Sequence, residues 1–476
     1  MGKGLSCPAP QEEVAVAQLE RALKHIDAQL CTYTEELKEW VRIPSISAGA
    51  QEDSTGALAQ AAGFAVAQCE GLGLRAEKVQ VSPDTNPLVV ARTPSFSPGR
   101  PTVLVYGHYD VQGVDNPRSA WTGDPFGAEE KQGYLLGRGS SDNKGPCFAH
   151  LKAVQALRAA GGEMPVNLVF LIEGEEECGS RALSQFIAGG GLEDFGPVRC
   201  VVISDTSMYG PDRPSLTLGL RGILFFQLTV HGPRQDVHSG LFGGIIHNPN
   251  QLLVRALATL HDAEGRVLVP GFYDQVRPLS RREQTIYDAL EVDEAAYCRN
   301  LGVKQLIGEP GYSVLERRWT RPTLEINHLS GGSPRTVIPA RVTAVISCRL
   351  VPDQDPGRIE AALQQYLRAQ LPAGTEVEFG NSHSSPAYHL DPDHPLVPRA
   401  LQAIRTGFGL EPLLTREGGS IPIVTQLHQH TGAPVLLMGL GQITDNWHGP
   451  DEHFSLRDFH RGIRTSAALL CALGEG

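Results

Sequence analysis

The sequence predicts an α/β fold, a mixed and mostly parallel sheet sandwiched by helices, interrupted by a smaller α+β domain. Three features carry this reading. Up to about Pro214, short apolar β-type runs alternate with helical segments, the pattern of a largely parallel sheet covered on both faces. Beyond it the order changes to β-α-β-β-α-β, a compact two-layer unit. After about His394 the helix-and-strand pattern returns. A chain of 476 residues is too long for one ordinary core. The expected domains are therefore 1–215 and 394–476 as one discontinuous unit, with 216–393 inserted.

The elements follow in order. Residues 11 to 42 read as a helix, with Val14, Leu19, Leu23, Ile26 and Leu30 at helical spacing, and Ile43-Pro44-Ser45 ends it. A second helix is expected over 55–71. β-type runs at 88–91, 102–106, 166–172 and 200–204 alternate with helices at 147–160 and 177–188. In the insertion, strands are expected at 222–231, 321–327, 341–351 and 376–379, with helices at 248–262 and 356–370. The stretch 263–319 reads as an added helical segment. The returning part should supply a helix at 396–406, a strand at 435–438 and a helix at 455–472.

Composition narrows the function classes. The formal net charge of −12 argues against nucleic acid or an anionic membrane as the main partner. Nine cysteines, odd in number and scattered without a Cys-x-x-Cys pair, read as reduced and mostly buried thiols. The first forty residues carry charges throughout and lack the apolar stretch of a signal peptide, and no apolar run approaches membrane-spanning length. A cytoplasmic protein is expected. Met1-Gly2-Lys3-Gly4-Leu5-Ser6, with Cys7 beside it, fits the loose myristoylation pattern.

The chemistry-bearing residues recur in one kind of place. His108 and Asp110 stand in Val-Tyr-Gly-His-Tyr-Asp, Asp142 in Gly-Arg-Gly-Ser-Ser-Asp-Asn-Lys-Gly, and Glu176-Glu177 in Glu-Gly-Glu-Glu-Glu-Cys-Gly-Ser. Asp205 follows Val-Val-Ile-Ser, and His448 sits in Asn-Trp-His-Gly-Pro. All but the last lie just after an apolar β-type run or on the Gly-rich loop beyond it, where sites form in open α/β sheets. Buried carboxylates are costly unless paired or bound to metal, and His with Asp/Glu suits Zn²⁺, Mn²⁺ and similar ions. Two metals about 3.5–4 Å apart need a bridging carboxylate and terminal ligands on each side. A hydroxide held between them is a nucleophile near neutral pH, and a carboxylate outside the ligand set can take its proton. His108 and Asp110, two apart, allow one to ligate while the other fixes the imidazole tautomer. The adjacent Glu176 and Glu177 point in different directions, which allows one base and one ligand, with Glu175 a competitor for the base.

Together these segments resemble the dinuclear metallopeptidases of the M20 group, most closely its cytosolic nonspecific dipeptidase and carnosinase branch. The resemblance runs from Trp40-Val-Arg-Ile-Pro-Ser-Ile-Ser47 to the His448 segment. It rests also on Gly219-Leu-Arg-Gly222, Val237-His-Ser-Gly240, Thr336-Val-Ile-Pro339, Arg349-Leu-Val-Pro352 and Thr415-Arg-Glu-Gly-Gly-Ser-Ile-Pro422. It implies a zinc-peptidase-like fold with a ferredoxin-like lid and dimerisation domain. It further implies two divalent ions per chain, Zn²⁺ or Mn²⁺, with His108, Asp142 and Asp205 on one and Asp142, Glu177 and His448 on the other. Glu176 would be the general base, Asp110 would orient His108, and the Asp142–Asn143 peptide would be cis. His238 and Thr336 would reach a partner subunit's site in a homodimer. Arg349 and His383 would meet the substrate carboxylate, while Glu417 takes a free α-amine and Gly418, Gly419 and Ser420 shape the loop around it.

The implied function is metal-dependent cleavage of dipeptides by a metal-bridging hydroxide. The alternatives on this scaffold are an N-acyl amino acid amidohydrolase or a biosynthetic amide-forming or acyl-transfer enzyme, and lastly a catalytically silent metal-binding protein. Ser141, Asn143 and Trp447 depart from the pattern of the branch. His150, His247, His428, His430 and His453 read as surface or core histidines, and Glu452 as a first-turn helix residue beside a cap.

Overall fold

The computed structural model describes residues 10–48, 55–115 and 118–475. The Met1–Ser6 motif and Cys7 lie outside the described residues. The chain divides into two compact units: Met1–Leu218 with Leu390–Thr415 and Gln426–Gly476, and Gly219–His389 with Arg416–Thr425.

The first unit is built on four adjacent parallel strands, in the order Asn167–Glu173, Thr102–His108, Val198–Ile203 and Val435–Met438. Antiparallel strands flank them: Leu88–Arg92 and Arg75–Val79 on one side, Ser215–Leu220 on the other. Every residue of Thr102–His108 and Asn167–Glu173 is buried, so both faces of the sheet are covered there. That is why these strands read as unbroken apolar runs. Arg75–Val79 was not visible in the sequence, because its charged Arg-Ala-Glu-Lys-Val needs only one neighbour and lies at the sheet edge.

Three long helices, Pro10–Val41, Gly145–Ala159 and Leu456–Gly474, pack against one another. The Trp40 ring stacks on Phe64 at 5.7 Å and lies 5.9 Å from Phe148, which in turn stacks on Phe459 at 6.5 Å. Buried Lys144 closes the end of the first helix, donating to Trp40 O at 3.1 Å and Ile43 O at 2.7 Å. No helix among the described residues is long and apolar enough to cross a membrane.

The second unit carries a four-stranded antiparallel sheet in the order Thr323–Gly331, Arg341–Leu350, Gly222–His231 and Val377–Ser385. With helices Pro249–Ala258 and Pro356–Ala369 this completes the β-α-β-β-α-β order. Burial alternates strictly along both central strands. Leu224, Phe226, Leu228 and Val230 pack with Ala344, Ile346, Cys348 and Leu350 on the helix side. The added segment holds three short helices, Arg281–Asp288, Glu294–Leu301 and Val314–Trp319.

A buried charge cluster anchors the first of those helices. Glu283 closes a capping box with Ser280, and its carboxylate also accepts from Arg277 and Arg416 and pairs with His389. Burial pushes the Glu283 pKa up, but the bonds from His389, Ser280 and Arg277 outweigh it and hold it well below the ordinary value. A carboxylate held low contributes stability above its unfolded pKa and loses it as pH falls through the folded value. Glu283→Gln should therefore lower Tm at about pH 7, and the gap from the unmodified protein should begin to narrow below about pH 4 and close only as pH falls through the lower folded value. Thermal melts of both proteins across that range test this; a gap independent of pH would refute it.

Candidate metal centre

The four parallel strands end side by side, and their carboxyl ends supply the site. His108 ends its strand and pairs in register with Glu173 of the next. The Glu176–Cys178 turn follows three residues on, so the helix expected from 177 begins only at Arg181. Asp205 lies two residues past Ile203, and His448 stands in the long loop after Met438.

These side chains converge in two groups that share Asp142. In His108, Asp142 and Asp205, and again in Asp142, Glu177 and His448, one ligand atom from each residue lies within 4.8 Å of the others. Asp142 gives one oxygen to each histidine: Oδ1 is 3.2 Å from His108 Nε2, and Oδ2 is 3.0 Å from His448 Nε2. His108 Nε2 also lies 3.6 Å from Asp205 Oδ1, and His448 Nε2 lies 3.3 Å from Glu177 Oε2. The Asp142–Asn143 peptide bond is cis.

Asp110 touches more than His108. It is fully buried, and its Oδ1 lies 3.4 Å from His108 Nδ1. That oxygen also accepts from the Glu176 N–H, while Oδ2 accepts from the Glu177 N–H at 3.1 Å and from the Ser47 hydroxyl. His108 Nδ1 also bonds to the Asp110 backbone carbonyl at 3.1 Å, so Asp110 meets the imidazole through its main chain and holds the turn carrying both glutamates through its carboxylate. Glu175, the competitor for the base, is committed elsewhere: its two oxygens accept the N–H groups of Asn86 and Ala182.

The three departures noted in the sequence acquire partners. Asn143 donates to Asp205 Oδ1 and Ser204 O, both at 2.9 Å, and so steers that carboxylate. The Trp447 indole N–H donates to Ser141 Oγ at 3.0 Å, and Ser141 donates onward to Asp445 at 2.8 Å. Glu452 requires a correction. It does not open a helix, for the next helix begins at Leu456; it lies fully buried against the Asp142 loop. His150, by contrast, sits in the core between Ser466 and Ser204, and burial pulls it down to about 4.

Charge crowding dominates the electrostatics. Burial, with Asp205 adding to it, raises Glu176 well above the ordinary carboxylate range. Burial and Asp142 push Glu177 up to about 7. Burial also works against an ionised Asp142, but His108 and His448 outweigh it and hold that group low. His448 is raised to about 10 by Asp142 and Glu177. A divalent cation would relieve this concentration of carboxylates, and the donor set suits one. His108 Nε2 is buried and makes no hydrogen bond of its own while facing two carboxylates. Two imidazoles and three carboxylates form a donor set of the Zn²⁺ and Mn²⁺ type.

The model of peptidase family M20/M25/M40 matches residues 104–472. The chain belongs to this family. Its M20 relatives include the Cys-Gly metallodipeptidase dug1 of Schizosaccharomyces pombe, 33% identical, with 94% of this chain and 96% of that protein covered. The human Beta-Ala-His dipeptidase is also 33% identical, with 99% and 95% covered. Among solved structures, the di-peptidase Dug1p of Saccharomyces cerevisiae matches with a TM-score of 0.82 at 31% identity, over 97% of this chain and 99% of that one. Human carnosine dipeptidase 1 matches with a TM-score of 0.81 at 33% identity, over 96% and 99%.

The remaining candidates all belong to the second unit. Arg349 Nη1 donates to Ser420 Oγ at 2.7 Å, and Arg221 Nε donates to Gly418 O at 2.9 Å, so the arginines and the Gly418–Ser420 loop form one cluster. Gly419 lies between them, and Glu417 ends the strand Leu413–Glu417. The His383 ring stacks on Phe225 at 4.5 Å, on the sheet face that also carries Arg349. His238 and Thr336 lie together elsewhere, on the ribbon where Val237–His238 pairs with Val337–Ile338. Among the described residues no hydrogen bond joins those two to the Arg349 cluster.

Asp110→Asn replaces an acceptor with an amide that faces backbone N–H groups. It should weaken metal affinity or turnover by about 10–100-fold. Metal titration and steady-state kinetics on the same preparation would test this; unchanged values would exclude a role for the Asp110 carboxylate.

Proposed function

We propose that this chain is a dinuclear metallodipeptidase of the cytoplasm, holding two Zn²⁺ or Mn²⁺ ions and cleaving dipeptides as a homodimer. The observation that carries the reading is Asp142, with one oxygen directed at each histidine of two ligand groups. The dipeptidase names and near-full coverage of the relatives support the substrate class. The cytoplasmic reading is supported by the free thiols of all eight described cysteines.

His108, Asp142 and Asp205 would hold one ion, and Asp142, Glu177 and His448 the other. When bound, such ions supply Lewis acidity, easing deprotonation of water and polarising the scissile carbonyl. The Glu176 carboxylate takes a proton from the attacking water and returns it to the leaving amine nitrogen. Its raised pKa, caused by burial and Asp205, suits a group that must both accept and release a proton.

The second unit would bind the two ends of the substrate. Arg349 has no carboxylate within ion-pair distance among the described residues, and it is assigned to the substrate carboxylate together with His383. Glu417 would take the α-amine, with Gly418, Gly419 and Ser420 shaping the loop around it. His238 accepts the Gly240 N–H at Nδ1, so its neutral ring carries the proton on Nε2. That N–H can donate to the carbonyl oxygen as negative charge develops on it. His238 is exposed, and Leu241, Phe242, Ile245 and Ile246 beside it are exposed apolar residues. A second copy covering that segment would bring His238 and Thr336 into its partner's site.

Two experiments test the reading. Metal-stripped protein should regain cleavage of a dipeptide panel with Zn²⁺ or Mn²⁺. Glu176→Ala should bind both ions yet lose at least about 10²-fold in turnover; retained turnover would sink the assignment. Mixing inactive Glu176→Ala chains with inactive His238→Ala chains should restore activity through mixed dimers, one site of which has both groups intact. No recovery after subunit exchange would count against a shared site.

A further inference from the structure

We propose that Glu452 is a positioning residue for the bridging carboxylate. Its side chain is the fixed point on which the whole Asp142 loop is hung. The proposal rests on the reading of Asp142 as a shared ligand.

Glu452 is fully buried, in the loop four residues beyond His448. Both its carboxylate oxygens are filled by the segment preceding Asn143. Oε1 accepts the N–H groups of Ser141 and Asp142, both at 3.0 Å. Oε2 accepts the Gly139 N–H at 3.0 Å and Arg138 Nη1 at 2.7 Å. The Glu452 backbone carbonyl accepts a further bond, from the Gly137 N–H at 2.8 Å. The second arm of Arg138 reaches Gly113 O at 3.3 Å, in the loop after Asp110. One acidic residue therefore binds the segment that carries Asp142, and through Arg138 the loop that follows the His108 strand.

This arrangement exceeds what burial alone requires. An ionised carboxylate inside a protein is expensive, and apolar residues would fill the same space at lower cost. What a carboxylate provides is convergence: four donors aimed at two oxygens leave the backbone at Asp142 a single placement. A ligand set needs that definition, because a site held loosely by about an ångström loses its geometry. The loop also contains Gly139 at φ 83°, and Asp142 itself departs from helical φ/ψ inside the short turn Ser140–Lys144, so regular backbone bonding does not define its position. Glutamine at position 452 cannot reproduce the contacts. Whichever way its amide is turned, the NH₂ group faces two donors.

The test uses the full-length protein, stripped of metal and titrated with Co²⁺ by absorption and with Zn²⁺ against a competing chelator. Glu452→Gln should weaken metal affinity by about 10–100-fold and alter the Co²⁺ spectrum. Glu283→Gln, which removes a comparably buried charge in the second unit, should lower Tm and leave both readings unchanged. If Glu452→Gln does not fold, Arg138→Lys is measured in the same way, since it keeps the charge and loses the two-armed reach. Normal affinity with an unaltered spectrum in the folded variant, despite a lower Tm, would overturn the proposal and leave a structural role only. If the unmodified chain takes up no metal, the dinuclear reading fails and this inference fails with it. If that chain binds two ions and the variant does so equally well, the inference alone fails.

Discussion

Carboxylates repel one another, and the first unit gathers many of them at one end of its sheet. Asp110, Asp142, Glu176, Glu177 and Asp205 share the small region where the strands stop. Much of the surrounding structure is an answer to that crowding. Two imidazoles are placed against opposite oxygens of Asp142. Backbone N–H groups satisfy Asp110, Glu175 and Glu452, and Asn143 steers Asp205. The sheet makes this possible because parallel strands deliver their loops to the same edge.

The acidic residues divide into two kinds by what their oxygens touch. Asp110, Glu175 and Glu452 are saturated by hydrogen bonds from the protein, so they act as struts. Asp142, Asp205 and Glu177 each keep an oxygen against a histidine nitrogen, with Asn143 also donating to Asp205 and Gln112 to Glu177. Sequence position does not separate the two kinds: Glu175 and Glu177 are two residues apart and fall on opposite sides of the division. Only the local turn, pinned at two consecutive N–H groups, decides which glutamate faces inward.

How much of this was legible depended on the range of the interactions. The central strands announced themselves, since Val103–Tyr106 and Leu168–Ile172 are apolar on both faces. Five of the six ligand and base residues stood out because each follows an apolar run or sits on a glycine-rich loop; His448 stood out only through its Asn-Trp-His-Gly-Pro segment. Arg75–Val79 left no such pattern, being an edge strand with one partner. Glu452 was misread for another reason. Its spacing from the last helix suits a first-turn acid, whereas its partners lie about three hundred residues earlier, and a bond across that distance leaves no local trace. The placement of Arg416–Thr425 in the second unit is equally silent in composition, since it depends on contacts such as Arg416 with Glu283 and Thr425 with Pro386.

The order of residues along the chain has a consequence for biosynthesis. His108, Asp142, Glu177 and Asp205 are all translated before the second unit begins, whereas His448 and Glu452 come after it. A nascent chain therefore emerges from the ribosome with its acidic cluster made and with neither the second histidine nor the carboxylate that holds the Asp142 loop. Until that segment follows, the sheet edge carries a half-assembled constellation. Truncation near the C-terminus would leave the early acids without the partners that the finished molecule gives them. In this protein a segment made after the second unit is the one that closes the centre.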